Sequence, residues 1–169
     1  PYGLNNTQIK LMQQKLKSWL SERTILEMKL QIDSLSSSIE KMLSNGTPAL
    51  DWEEISTLRS CSTSVSKLMA SGASCEELEK AISSTRFLYE KAQQKLAQYE
   101  KVTKEINDLT AKVEKFTLVL KAFDEKEASL LSRGRDLLED YVQRSSSYDE
   151  LQKMLSSVRA GYEETKADL

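Results

Sequence analysis

Residues 57–96 and 130–169 are two copies of one segment, 73 positions apart. The first contains CEELEKAISSTRFLYEKAQQKL (75–96) and the second YDELQKMLSSVRAGYEETKADL (148–169). They share Glu77/Glu150, Leu78/Leu151, Lys80/Lys153, Ile82/Leu155, Ser83-Ser84/Ser156-Ser157, Arg86/Arg159, Tyr89-Glu90/Tyr162-Glu163 and Leu96/Leu169, and Leu58 matches Leu131 upstream. A helical unit that recurs at a fixed period belongs to a modular array, where stacked units cover one another's apolar faces, and not to a single enzyme core.

Composition narrows the class further. Charged residues make up 30% of the chain against five Gly and two Pro, a balance that favours helices over sheets and over disorder. Three Phe, two Trp and six Tyr are few for one compact core of 169 residues, whereas an elongated bundle with a thin seam needs fewer. Net charge is −2 with both signs interspersed, so no basic stripe invites nucleic acid. No apolar run approaches the length of a membrane span, and no membrane insertion is expected. The opening PYGLNNTQIK lacks the order of a secretion signal, and a start at Pro1 without Met suits a piece of a longer polypeptide. Cys61 and Cys75, with no His anywhere, cannot build a usual zinc site. They are expected to be reduced structural thiols, a disulfide across adjacent helices being the alternative.

The apolar spacing predicts a first helix over about 7–43. Its stripe steps 3-4-3 through Ile9, Met12, Leu16 and Trp19, then resumes at Ile25, Met28, Ile32, Leu35, Ile39 and Met42. The step of six from Trp19 to Ile25 rotates the stripe. Thr7 is the expected cap, with Lys10 leaving its capping box incomplete, and Ser44-Asn45-Gly46-Thr47-Pro48 is the stop. A second helix starts near Asp51, with Glu53 and Glu54 in its first turn, and ends at 70–74. It is rich in Ser and Thr and needs tertiary packing to persist.

A third helix follows the S-x-x-E box of Ser74 and Glu77 and carries Leu78, Ile82, Tyr89, Ala92, Leu96 and Tyr99, then Ile106, Leu109, Val113, Phe116, Leu120 and Phe123. Its register slips around Ile106, as in a helix that changes partners on passing between two bundles. A break is expected at 124–127, a helix from about 128 to Tyr141, a break at 145–147, and a last helix behind a second box, Ser147 and Glu150. With Gly134 and the serine triplets as corners, the chain doubles back on itself. The rival is one unbroken helix over 75–169, about 140 Å long at the α-helical rise, which needs a second chain to cover it. The expected fold is therefore all-α: elongated antiparallel three-helix bundles, units 1–102 and 103–169, sharing a long connecting helix. A long antiparallel coiled-coil dimer is the alternative.

Three stretches resemble the spectrin-repeat superfamily of spectrin, dystrophin, plakin and nesprin modules. Trp19-Leu20 in LKSWLSE looks like the tryptophan motif of that family's first helix. LLSRGRDLLEDY (130–141) looks like its second helix. LQKMLSSVRAGYEETKADL (151–169) looks like its third, with Tyr162 where the family often has tryptophan. The resemblance implies an all-α spacer or scaffold in a cytoskeletal or membrane-skeleton protein.

Catalytic constellations are missing. Without His there is no imidazole acid or base, and glycines at 3, 46, 72, 134 and 161 form no phosphate-cradling loop. Glu53-Glu54 and Glu163-Glu164 are expected to be solvated charges on helix faces. Asn5-Asn6-Thr7 and Asn45-Gly46-Thr47 match the glycosylation triplet but are read as a helix start and a turn. The serines at 34, 36–38 and 60–66 are read as polar helix faces, with phosphorylation as the alternative. Neither enzyme activity, cofactor nor metal is expected.

The candidate packing and interface residues are Trp19, Trp52, Tyr89, Ile106, Leu109, Val113, Phe116, Leu120, Phe123 and Tyr162. Trp19 is expected in the core. Trp52 either staples the turn before the second helix or stands out as a contact residue. The expected role is a structural spacer or scaffold that binds other proteins in the cytoplasm beside the cytoskeleton, the nucleus being left open. The alternative is a dimerisation module for a chromatin or vesicle-tether regulator, self-associating through the third helix.

Overall fold

A computed structural model describes residues 3, 5–46 and 48–169. Thr47, in the expected stop and the second glycosylation triplet, lies outside the described residues. Five helices and no strand occur among them: α1 (Asn6–Ser44), α2 (Trp52–Ala70), α3 (Cys75–Leu120), α4 (Glu125–Gln143) and α5 (Tyr148–Ala167). The fold is all-α and bundle-like, and the unbroken helix over 75–169 is excluded, since the chain turns after Leu120 and again after Gln143.

The 73-residue period is built into the helix ends. The 19 residues of α2 and the 19 of α4 begin and end at positions offset by 73, and so do the starts of α3 and α5. Both turns use the same chemistry. Ala73 N–H donates to the Leu68 carbonyl and Ser146 N–H to the Tyr141 carbonyl, each at 3.1 Å, closing a six-residue loop at a helix C-terminus. That closure needs a left-handed residue, which is Gly72 (φ 72°) in one copy and Ser145 (φ 55°) in the other. The residue with no side chain adopts this conformation without strain, and serine does not. Ser145→Gly is expected to stabilise the chain by about 1 kcal/mol and Gly72→Ser to destabilise it by about as much, in urea unfolding followed by circular dichroism. Capping boxes then start α3 (Ser74 with Glu77) and α5 (Ser147 with Glu150).

Three local expectations are corrected. The cap of α1 is Asn5, not Thr7. Gln8 N–H donates to Asn5 Oδ1 at 2.8 Å, and Asn5 N–H donates to Gln8 Oε1 at 3.1 Å, so the box is complete, with amides in place of hydroxyl and carboxylate. The stretch Asp124-Glu125-Lys126-Glu127 is not a break before a helix at 128. It is the first turn of α4, with Asp124 capping the Lys126 and Glu127 N–H groups and the acids meeting the positive end of the helix dipole. Gly134 is not a corner. It lies inside α4, where a Cβ would come within 3.4 Å of a Val158 methyl, so it marks a close approach of α4 to α5.

The chain forms two compact units, Pro1–Gly46 with Trp52–Lys91 and Thr47–Asp51 with Ala92–Leu169. The division within α3 precedes the expected junction at 102/103, because Tyr99 already packs on the second core and its hydroxyl donates to the Ser146 carbonyl at 3.2 Å. Burial raises the Tyr99 pKa above its ordinary value. In the first unit Met28 and Ile32 of α1, Val65 of α2, and Leu78 and Ile82 of α3 form the core. The second has more layers: Val102, Ile106, Leu109, Val113 and Leu120 of α3, Ala128, Leu131 and Leu138 of α4, and Leu151, Leu155, Val158 and Tyr162 of α5. Phe116 meets Tyr162 edge-on at 5.5 Å. Cys61 and Cys75 are free, half-buried thiols.

Candidate interaction surface

Among the described residues nothing covers the first half of α1. Every residue from 5 to 27 is exposed, although this stretch carries the Ile9, Met12, Leu16, Trp19 stripe. At 1.5 Å per residue it runs about 33 Å. Beyond it the helix turns a different side inward, and Met28 and Ile32 enter the first core. The six-residue step from Trp19 to Ile25 amounts to about 240° round the helix at 3.6 residues per turn, so the stripe and the core side cannot face the same neighbour.

The repeat shows what kind of face this is. Ile9, Ile82 and Leu155 are spaced by 73, and so are Leu16, Tyr89 and Tyr162. In α3 and α5 these positions pack inward: Ile82 and Leu155 are buried, Tyr162 is buried, and Tyr89 is half-buried. In α1 the apolar residues at the same offset, Ile9 and Leu16, are open to water. Apolar side chains in so continuous a row on an exposed surface mark an interaction site more often than a solvated face.

Trp19 is accordingly not a core residue: it is 53% exposed, with the Arg23 guanidinium 5.7 Å from its ring centroid. Arg23 also bonds to Glu27 at 3.2 Å, one helical turn on. Trp52 is 81% exposed at the start of α2, which favours a contact residue over a staple. Ile106, Leu109, Val113 and Leu120 are buried within their own unit, and Phe116 is half-buried there. The α4 and α5 helices of the same chain pack on this seam of α3, the one through which self-association is expected from the sequence. Phe123 is exposed because α3 stops at Leu120 and leaves it in the connection to α4.

Two features escaped the sequence reading. The repeated Arg86/Arg159 pair has a shared geometric role. Arg86 reaches Gln31 of α1 at 3.4 Å, and Arg159 reaches Glu105 of α3 at 3.3 Å, each spanning from the third helix of a unit to its first. Their conspicuous identity across the two copies was the available signal. Ser62 is buried, and its hydroxyl donates to Ser36 Oγ at 3.0 Å, tying α2 to α1, so part of the serine-rich stretch is interior packing. Among the described residues no group of three or more His, Cys, Asp or Glu side chains could hold a metal, and no helix is long and apolar enough to cross a membrane. Compared with known proteins, the chain matches no family model, no curated protein and no solved structure.

Proposed function

We propose that this chain is a non-enzymatic structural spacer or scaffold that mediates protein–protein interactions within a larger cytoskeletal or membrane-skeleton-associated protein. The observation that carries the reading is the exposed stripe of α1, Ile9, Met12, Leu16 and Trp19. Two repeated helical units, both entered by α3, suit a part that sets distance between flanking segments while presenting long faces to partners. The spectrin-like likeness supports the reading through its second and third helices. The Trp19 part of it adds nothing to packing, since Trp19 lies outside both cores. Unpaired thiols suit a reducing, cytoplasmic setting.

Photo-crosslinking in cells tests the proposal. A benzophenone side chain at Leu16 is expected to give discrete protein adducts, and the same group at exposed Lys101 is expected to give none. Equal labelling at both positions, or no protein adduct at Leu16, would reject the stripe as a docking face.

A further inference from the structure

We infer that the Tyr99 hydroxyl is a latch on the α4–α5 corner, doing there what glycine does at the α2–α3 corner. Gly72 takes the left-handed conformation freely, whereas Ser145 holds it at φ 55° with its Cβ crowding the backbone. That strain favours an open corner by about fivefold or more. The strained corner is also the one that α3 reaches. Tyr99 Oη donates to the Ser146 carbonyl at 3.2 Å from a part-buried position. Ser146 stands between the left-handed Ser145 and Ser147, the N-cap of α5. Its N–H closes the six-residue loop on the Tyr141 carbonyl. With its N–H held by α4 and its carbonyl by α3, the peptides on both sides of Ser146 are pinned. Ser145 cannot leave the left-handed region without swinging the chain at 146 and breaking the bond to Tyr99.

The first unit has neither the strained serine nor this donor. Met28, Ile32 and Ile39 of α1 stand 74 positions before Val102, Ile106 and Val113 of α3, and all six are buried. At the same offset Tyr99 corresponds to Ile25, which is 43% exposed and has no hydroxyl. Serine at the corner and tyrosine on α3 thus occur together in one unit, glycine and isoleucine in the other. Burial keeps the latch in its donor form. It raises the Tyr99 pKa above the ordinary value, so the phenol stays protonated at neutral pH. One neutral hydrogen bond shifts an equilibrium by about fivefold, the same size as the strain it opposes. The capping box of Ser147 and Glu150 begins one residue past the latched carbonyl. Releasing Tyr99 therefore uncouples the start of α5 from the end of α4.

Amide hydrogen exchange of the whole chain reads each corner separately. Tyr99→Phe keeps the ring against the core and removes the donor. It is expected to lower the protection of the Ser146 N–H about fivefold, and to leave that of the Ala73 N–H, at the other corner, within about twofold of its native value. Adding Ser145→Gly to Tyr99→Phe is expected to restore Ser146 to native protection, since glycine holds the corner unaided. Ser146 protection that Tyr99→Phe leaves unchanged overturns the latch. So does an equal loss at Ala73, which would mark a general loss of stability, and so does a loss that Ser145→Gly fails to repair. Should Tyr99→Phe lose its helical circular-dichroism signal, return of that signal in the double variant sustains the latch, and its continued loss overturns it.

Discussion

Aspartate substituted at Ile82 or at Leu155 is expected to cost roughly 5 kcal/mol of folding stability, while aspartate at Ile9 changes it by less than about 0.5 kcal/mol. Ile82 and Leu155 occupy one repeat position and are covered, at 4% and 1% exposure, against 39% for Ile9, which lies 73 residues before Ile82. A carboxylate at position 82 would sit among Met28, Ile32, Val65 and Leu78, and one at position 155 beside Leu138 and Leu151, without a partner cation in either cluster. It must then either stay charged in an apolar layer or take up a proton at a pH well above its ordinary pKa. At position 9 it would remain in water. Urea unfolding followed by circular dichroism at neutral pH measures all three. A loss at Ile9 comparable to that at Ile82 would mean that the α1 stripe is already covered within the chain, and the docking face would go with it.

That comparison also marks where the sequence was informative. The bundle was legible because each copy carries its own punctuation: Ser74 with Glu77 and Ser147 with Glu150 announce the same helix start twice. The α2 and α4 segments then had to end before them. Local chemistry of this kind depends on neighbours within a few residues, so one chain suffices to read it. The start of α4 is harder to place because four charged residues look like a loop, whereas Asp124 and the acids behind it are what a helix N-terminus favours. By sequence Gly134 reads as a corner, for the reason glycine usually is one. Its actual role, proximity to Val158, depends on a residue 24 positions away that no local pattern indicates.

The candidate surface was harder to read than the fold. A 3-4-3 spacing establishes that Ile9, Met12, Leu16 and Trp19 share a face, but not that anything covers it. Only the covering helix decides that, and α2, with 19 residues, pairs with the later part of α1. The same limit explains the α3 seam. Ile106, Leu109, Val113 and Leu120 would serve a dimer as well as a folded-back chain, and the turn after Gln143, which brings α5 against α4, decides between them. Leu130 and Leu137 stood in a stretch of apolar letters beside Leu131 and Leu138. Which of each pair faces inward follows from the 73-residue match of Leu131 to Leu58 and Leu138 to Val65.

That match leads to an expected asymmetry between the cores. Leu138→Ala should destabilise the chain by about 3 kcal/mol and Val65→Ala by about 2 kcal/mol. Leu138 is fully buried, in a cluster that includes Val113 of α3, Leu131 of α4 and Leu151 and Leu155 of α5, and truncation removes three carbons from a core built by three helices. Those neighbours cannot all move inward at once, so much of the cavity should persist and add to the lost transfer energy. Val65 loses two carbons, and Leu68, Met69 and Cys75 at the edge of its cluster are only partly buried and free to lean into the space. The same unfolding measurement compares the two variants. If Val65→Ala proved the more damaging, the first core would be the tighter of the two, and the larger cluster around Leu138 would owe its stability to something other than close packing.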